Sequence, residues 1–118
     1  MSDYKFMLPW PPSINGYWRT FRNRQIISKR GRDYRLLVNK YMQSYQLTEE
    51  ALTGRLSVKL TYEPPTLRKY DIDNFCKGIF DGLTHANFWE DDEQVDRLVI
   101  EKGEKRKGGN VIVEVTLI

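Results

Sequence analysis

The apolar residues of segment 72–83 recur with the period of an α-helix, and no other feature of the sequence constrains the fold as strongly. They stand at i, i+3, i+4, i+7, i+8 and i+11, as Ile72, Phe75, Cys76, Ile79, Phe80 and Leu83. This spacing predicts an amphipathic helix with one face in the core. Asn87 follows at the position of a left-handed C-cap, a conformation that asparagine tolerates well.

A second stripe with the same spacing predicts a helix over residues 29–46. Its members are Tyr34, Leu37, Val38, Tyr41, Met42 and Tyr45. Segments rich in alternating or β-branched residues predict strands at 4–8, 17–27, 56–62, 95–101 and 111–118. The second of these segments is typical of a strand or an irregular hairpin. We expect the last two strands to form a hairpin through a basic loop.

These elements follow the order β-β-α-β-α-β-β, without a linker or an internal repeat. A chain of 118 residues has the length of one ordinary domain. We therefore expect a single α+β domain over residues 1–118. In it, two main helices should pack on a mixed or antiparallel sheet of about four to five strands.

The composition excludes several classes of protein. One cysteine, Cys76, and one histidine, His85, allow neither an internal disulfide nor a Cys/His zinc site within one chain. No apolar run approaches the ~20 residues of a membrane helix, and the opening residues lack the apolar core of a secretory signal. The small size and the lack of targeting signals lead us to expect a cytoplasmic protein, bacterial or phage-encoded. Its chemistry must rely on carboxylates, hydroxyls, Lys and Arg.

Charge is distributed unevenly along the chain. Residues 1–59 carry 11 Lys and Arg against 4 Asp and Glu, whereas residues 60–118 carry 8 against 12. The densest basic stretch contains Arg19, Arg22, Arg24, Lys29, Arg30, Arg32, Arg35 and Lys40. Because aromatic residues interleave with these cations, the stretch is typical of a phosphate-contacting surface. A solvated helix face would give the same pattern.

Carboxylates cluster around the start of the predicted helix over 72–83. Asp71 lies at the junction into the helix and Asp73 in its first turn, and Asp73, Lys77 and Asp81 follow one polar row at about 100° per residue. Mg²⁺ prefers oxygen ligands, usually one or two carboxylates completed by water and substrate phosphate. Asp71 and Asp73 can supply them, and Asp92 can complete the set if its loop folds back.

A purely structural interpretation of these carboxylates stays open at this point. Asp71 could cap the helix, and Asp73 could favour the positive end of its dipole. Asp73 and Lys77 could form a surface ion pair of little energetic value. The acidic run at 90–93 could be a solvated turn.

Three motifs together resemble the RusA family of Holliday junction resolvases. They are LPWPPSIN at 8–15, DIDN at 71–74 followed by Lys77, and FDGL at 80–83 followed by FWEDDEQV at 88–95. The resemblance runs over nearly the whole chain, in order and at compatible spacing. Two departures stand out: an arginine-rich run before the first aspartate is reduced to Arg68, Lys69 and Tyr70, and Asn87 replaces an expected glycine.

The resemblance implies a crossover junction endodeoxyribonuclease, a magnesium-dependent enzyme that resolves four-way DNA junctions by paired symmetric nicks in recombination and repair. Mn²⁺ is the expected substitute metal. The family's catalytic, metal-binding carboxylates fall on Asp71, Asp73 and Asp92, and its essential lysine on Lys77. Contacts with DNA are expected from Asn15, Arg19, Arg22, Arg24, Lys29, Arg30, Arg68, Lys69 and Asn74.

The resemblance also implies a homodimer, since a four-way junction is cut at two symmetry-related strands. The apolar segment 111–118 is the candidate strand edge for that dimer. Two alternatives remain: a non-catalytic protein that binds branched DNA through the same basic face, and a nuclease that acts on flaps or other structures.

Overall fold

The computed structural model describes residues 1–118 and contains six strands and three α-helices. In chain order the elements are β1 (Tyr4–Leu8), α1 (Ile14–Tyr17), β2 (Trp18–Phe21), β3 (Arg24–Ile27), α2 (Lys29–Ser44), β4 (Leu56–Glu63), α3 (Cys76–His85), β5 (Val95–Lys102) and β6 (Asn110–Leu117). Short 3-10 helices, Ile72–Asn74 and Asp92–Gln94, precede α3 and β5. The predicted α+β class is confirmed.

Contacts divide the chain into two units. The first comprises Met1–Trp10, Leu52–Ile72 and Glu90–Ile118, and the second comprises Pro11–Ala51 and Asp73–Trp89. The first unit contains the four strands of the main sheet, and the second contains all three α-helices and the two short strands. None of the helices combines the length and apolar character that crossing a membrane requires.

The first unit is a mixed sheet with the strand order β1-β6-β4-β5. Strand β4 pairs in parallel with β5 and antiparallel with β6, which in turn pairs antiparallel with β1. Along β4 every second side chain is buried, namely Leu56, Val58, Leu60 and Tyr62. This period of two is the one expected for a strand with one face in the core.

The predicted hairpin between the last two strands is wrong, because β4 lies between β5 and β6. Parallel strands cannot be joined by a tight turn, so the β4–β5 connection is a long crossover that contains α3. Both edges of β6 are occupied by neighbouring strands. Segment 111–118 is therefore not a sheet edge, and the edge strands are β1 and β5.

In the second unit, α2 and α3 approach each other closely. A Cβ atom added to Gly82 of α3 would lie 3.1–3.3 Å from three side-chain atoms of Val38 on α2. Helix α2 begins after Ser28, whose Oγ accepts a hydrogen bond from the Gly31 amide (3.0 Å). Its buried stripe, Tyr34, Val38 and Met42, is narrower than predicted. The other predicted members are at least 37% exposed.

Helix α3 ends as predicted. Asn87 has φ 62°, the Asn87 amide donates to the Thr84 carbonyl and the Phe88 amide to the Leu83 carbonyl (both 3.1 Å). This is a Schellman motif with asparagine in the glycine position. The start of the helix differs from the prediction, since the α-helix begins at Cys76.

The 17–27 segment resolves into the hairpin β2–β3. Arg22 and Asn23 form its two-residue turn, and both have positive φ, 51° and 61°. Positive φ at both central residues is the mark of a type I′ turn, which matches the twist of the flanking strands. The observed order therefore contains one more strand and one short helix than predicted.

Candidate active site

The residues in front of Asp71 are fixed by the end of β5. Lys102 Nζ donates a hydrogen bond to the Tyr70 carbonyl (2.6 Å) and lies 4.4 Å from the centroid of the Tyr70 ring. Trp10 packs edge-on against Tyr70 and Tyr62, with ring centroids 5.8 and 5.6 Å apart. Asp71 itself is exposed. Asp71, the first predicted carboxylate, thus directly follows Tyr70, which belongs to an aromatic cluster with Trp10 and Tyr62 and is held by Lys102.

Asp73 and Asn74 lie in the 3-10 helix before α3, not in the α-helix itself. Asp73 is exposed and Asn74 half-buried. The N-cap of α3 is Phe75, which makes no side-chain capping bond. The structural interpretation of Asp71 as the cap of this helix is therefore wrong, and Asp71 is left without that structural role.

Asp92 begins the other 3-10 helix, and its neighbours hold that turn in place. The Asp91 carboxylate accepts from the Glu93 amide (3.0 Å), and the Asp91 amide donates to Oε1 of Gln94 (2.8 Å), which together form a capping box. The Gln94 side-chain amide donates to the carbonyls of Leu52 and Gly54 (3.0 and 2.9 Å). Asp91 is thus a structural cap, consistent with assigning the functional role to Asp92.

Arg55 fastens the same turn from outside. Its guanidinium contacts the Glu93 carboxylate (3.0 Å), the Glu93 carbonyl (2.6 Å) and both carboxylate oxygens of Asp96 (2.6–3.1 Å). The hydrogen bond from Arg55 holds the pKa of Asp96 below its usual value. The acidic run at 90–93 is therefore not simply a solvated turn, because two of its carboxylates, those of Asp91 and Glu93, have defined structural partners.

Lys77 stands in the first turn of α3 and lines an open cleft of about 680 Å³ within the second unit. The other polar and aromatic lining residues are Asn15, Trp18, Arg19, Thr20 and Gln25. The predicted lysine thus shares a cleft with two predicted DNA-contacting residues, Asn15 and Arg19.

Asp81 is not part of an open polar face, as its spacing from Lys77 predicted. Its carboxylate accepts hydrogen bonds from the Tyr17 hydroxyl and from Arg35 Nε (2.6 Å), and His85 Nε2 lies 3.9 Å away. Burial alone raises the pKa of Asp81, but the bonds from Arg35 and Tyr17 outweigh it, so this pKa lies below its usual value. Burial, together with the bond to Asp81, raises the pKa of Tyr17. Asp81 therefore has a structural role in the second unit.

The donor chemistry of the predicted set fits a hard divalent cation. Asp71, Asp73 and Asp92 offer only carboxylate oxygens, and Mg²⁺ commonly uses one or two carboxylates with water and substrate phosphate rather than an all-protein cage. The structure contains no group of three or more His, Cys, Asp or Glu side chains that could hold a metal ion. The convergence of the three carboxylates on one ion stays a prediction.

Most predicted DNA contacts lie on exposed parts of the chain. In the second unit, Arg19, Arg22 and Arg24 lie on or beside the β2–β3 hairpin, and the guanidinium carbons of Arg19 and Arg22 lie 5.8 and 5.3 Å from the centroid of the Phe21 ring. Lys29 forms an exposed ion pair with Asp33 (2.8 Å) at the start of α2. The remaining exposed members are Asn15, Arg30, Arg68 and Lys69.

Sequence reasoning missed the residues that support the site. Gln94, Arg55 and Lys102 act on the segments that carry Asp92 and Asp71 through contacts between residues up to 42 positions apart in the chain. Such partners leave no periodic signal. Only the capping box carried one, since Asp91 and Gln94 have its characteristic spacing of three residues.

Comparison with known proteins identifies the class. Residues 9–117 match the family model described as Endodeoxyribonuclease RusA, so the chain is a nuclease by descent. It is 39% identical to the crossover junction endodeoxyribonuclease RusA of Enterobacteria phage HK97, over 98% of this chain and 96% of the relative. Identity is 37% to the protein of the same name from Shigella sonnei and 36% to that from Escherichia coli K12, with the same coverage.

The chain belongs to the RusA family of endodeoxyribonucleases. The resemblance drawn from the three sequence motifs is confirmed, and so is the expectation of an enzyme. Since both the family model and the relatives span nearly all of the chain, the segments around Asp71 and Asp92 fall inside the matched region.

Proposed function

We propose that this chain is a divalent-metal-dependent endonuclease that resolves four-way DNA junctions by paired symmetric nicks, in recombination and repair. The observation that carries the proposal is the 36–39% identity, over 98% of the chain, to relatives named crossover junction endodeoxyribonucleases. We take residues 1–118 as one functional domain because the family model covers residues 9–117. The phage and bacterial relatives support a cytoplasmic location.

Membership of this nuclease family implies a divalent metal ion, and we propose Mg²⁺, with Mn²⁺ as a substitute. Asp71, Asp73 and Asp92 would hold the ion, because carboxylate oxygens are the ligands it prefers. When bound, the ion supplies Lewis acidity to the phosphodiester. The anchoring of Tyr70 by Lys102 and of the Asp92 turn by Gln94 supports this assignment, since ligands need fixed neighbours.

Lys77 would place its ammonium group beside the scissile phosphate. There it neutralises charge that develops on the phosphate or orients the attacking water. Its location in the first turn of α3, on the wall of a cleft that also contains Arg19, supports this role. Two cations and no carboxylate line that cleft, which favours an anionic occupant.

The exposed basic residues would contact backbone phosphates of the junction arms, and so would two asparagines, Asn15 and Asn74. Such contacts position DNA without reading its sequence. The proposed contacts are Asn15, Arg19, Arg22, Arg24, Lys29, Arg30, Arg68, Lys69 and Asn74. A homodimer would present two such surfaces and two sites with two-fold symmetry, as paired nicking requires.

The decisive experiment compares wild-type protein with Asp73→Asn on a labelled mobile four-way junction. With Mg²⁺ the wild type should cut two opposed strands symmetrically, and Asp73→Asn should bind the junction with similar affinity but cut at least about 100-fold more slowly, since a metal ligand is lost. Glu50→Gln, an exposed residue that undergoes the same change of charge, is the matched control and should cut normally.

The two alternative functions give different outcomes in the same assay. A non-catalytic binder would hold the junction in Mg²⁺ without cutting it, and Asp73→Asn would change nothing. A flap nuclease would cut flap DNA faster than four-way DNA at equal concentration. Chelator and Ca²⁺ serve as metal controls, and cutting that persists in chelator would exclude the metal-dependent mechanism.

A further inference from the structure

The cleft that contains Lys77 also contains groups that the proposed cleavage chemistry does not use. They are the aromatic ring of Trp18 and the side-chain amides of Asn15 and Gln25. Lys77 adds a cation to the same cleft. All of these residues belong to the second unit. The cleft volume of about 680 Å³ lies within the range of ~300–1,000 Å³ that is usual for small-molecule sites.

The hairpin register explains how these groups come together. Trp18 and Thr20 are two positions apart on β2, so their side chains share one face of the strand. Gln25 of β3 lies directly opposite Thr20 in the antiparallel register. One face of the hairpin therefore presents a ring, a hydroxyl and an amide side by side. Asn15 of α1 adds the second amide to the same cleft.

This hairpin face is attached firmly to the helix that carries Lys77. Tyr17, directly before Trp18, is fully buried, and its hydroxyl donates to Asp81, one turn beyond Lys77 on α3. Its ring also packs against Gly78, where an added Cβ would approach a ring carbon to 3.2 Å. The ring and amides are thus held at a fixed position relative to Lys77.

The lining chemistry favours a nucleotide over other occupants. Bases stack on aromatic side chains whatever their sequence. Side-chain amides carry both donors and an acceptor, so they can bond to two groups on one base edge. Arg19 and Lys77 supply positive charge for the flanking phosphates, and no acidic residue lines the cleft.

We propose that this cleft binds a nucleotide next to the cleaved phosphodiester, with its base stacked on Trp18 and its edge read by Gln25 and Asn15. These residues then set the sequence preference of cleavage. The inference rests on the proposed nuclease function for its cleavage consequence, whereas nucleotide binding in the cleft can be measured without cleavage.

Cleavage mapping tests the reading of the base. On mobile four-way junctions with a randomised core, Gln25→Ala and Asn15→Ala should lower the enrichment of the preferred cut sequence by about fivefold or more, because each loses bonds to a base edge. Both residues are exposed, so these variants should fold normally. Gln43→Ala, an exposed glutamine on α2 outside the cleft, is the matched control and should keep the wild-type distribution.

A binding measurement in chelator tests the stacking separately. A short single-stranded DNA of mixed sequence should quench the tryptophan fluorescence of the wild type, and Trp18→Phe should remove most of that quenching. With fluorescently labelled DNA, Trp18→Leu should bind about 5- to 100-fold more weakly, while Trp18→Phe keeps most of the affinity because it retains a ring.

The outcomes separate the two proposals. If the wild type quenches through Trp18 but cuts no junction, the nuclease proposal fails and the nucleotide site stands. If the wild type cuts junctions, but its cut distribution is unchanged in Gln25→Ala and Asn15→Ala, the nucleotide site does not set the preference and the inference is overturned. Quenching that persists in Trp18→Phe overturns it as well.

Discussion

At the scale of single residues, Asp81 is the most consequential charge outside the proposed catalytic set. Its side chain is 16% exposed and bonds to Arg35, which is 24% exposed, and to the buried Tyr17. We expect Asp81→Asn to lower the free energy of unfolding by about 1–3 kcal/mol, since a half-buried guanidinium loses its charged partner. Urea denaturation measures this.

The exposed pair between Lys29 and Asp33 provides the control for that variant. Both side chains are more than half exposed, so solvent screens the interaction. Asp33→Asn should therefore change the free energy of unfolding by less than about 0.5 kcal/mol. Equal losses of unfolding free energy in the two variants would show that the partly buried contacts of Asp81 contribute no more to stability than the exposed ion pair.

The same carboxylate predicts a pH dependence of stability. Its pKa in the folded chain lies below the usual value, because the bonds from Arg35 and Tyr17 outweigh burial. As pH falls, the Asp81 carboxylate is therefore protonated in the unfolded chain before it is protonated in the folded chain. The stabilisation by Asp81 is complete above the ordinary aspartate pKa of about 3.9 and is lost as pH falls through the lower, folded pKa.

Denaturation midpoints of wild type and Asp81→Asn at a series of acidic pH values test this sign. The advantage of the wild type should be full near neutrality and should shrink only below about pH 4. An advantage that stays constant down to the acid limit of folding would contradict the assignment.

The residues of the proposed catalytic set were easier to nominate from the sequence than the residues that hold their segments in place. Asp71, Asp73 and Lys77 lie within one short segment, so a motif can reveal them. Gln94 and Arg55 were missed, because their partners lie far away in sequence and only the fold brings them together. The same limit led to the wrong placement of Asp81, whose spacing from Lys77 gave no sign of Arg35 or Tyr17.

At the scale of elements, two consecutive glycines before β6 offer a sharp comparison. Gly108 and Gly109 both have positive φ, 81° and 77°. A Cβ at Gly108 would meet nothing within 4 Å, whereas one at Gly109 would lie 2.6 Å from Cβ of Trp10. An alanine at either position would therefore carry the strain of a positive φ. Only an alanine at Gly109 would also clash with Trp10.

We expect Gly108→Ala to destabilise the protein by about 1–2 kcal/mol, the usual cost of a left-handed alanine. Gly109→Ala should lose a further ~1–3 kcal/mol through overpacking against Trp10. Thermal unfolding of the two variants side by side measures the difference. Equal losses would mean that Trp10 can move away, and that the aromatic cluster before Asp71 is looser than the structure shows.

The helices were predicted better than the strand pairings. Periodicity located α2 within two residues of its ends, and Asn87 correctly marked the end of α3. The start of α3 was misplaced because Ile72 continues the apolar period although it lies in a 3-10 turn and is 39% exposed. Periodicity reports the spacing of apolar residues, and it does not distinguish a 3-10 turn from the first turn of an α-helix.

At the scale of the whole molecule, the proposed DNA surface predicts a salt dependence. Each phosphate contact adds about 0.9 to the slope of log affinity against log salt. We expect Arg24→Ala, at the exposed start of strand β3, to reduce that slope by about one and to weaken junction binding uniformly across sequences. Arg97→Ala, exposed on β5 and outside the proposed set, should leave the slope unchanged.

The topology of the sheet could not be read from the sequence. An apolar strand, a basic loop with three glycines and a second apolar strand are typical of a hairpin, which is why β5 and β6 were paired. The actual neighbour of both is β4. Which strands pair depends on contacts across the whole sheet, and the local composition of two consecutive strands carries little information about it.

The pairing of β1 with β6 has a consequence for how the protein is made. Tyr4 lies opposite Val115, so during synthesis β1 cannot form this pairing until β6, far later in the chain, has left the ribosome. The second unit comprises Pro11–Ala51 and Asp73–Trp89, so all residues of its internal contacts are synthesised before β5 and β6. Until β6 has been synthesised, the nascent chain exposes unpaired strand edges that can aggregate. Chaperone protection of the chain therefore matters most at this stage.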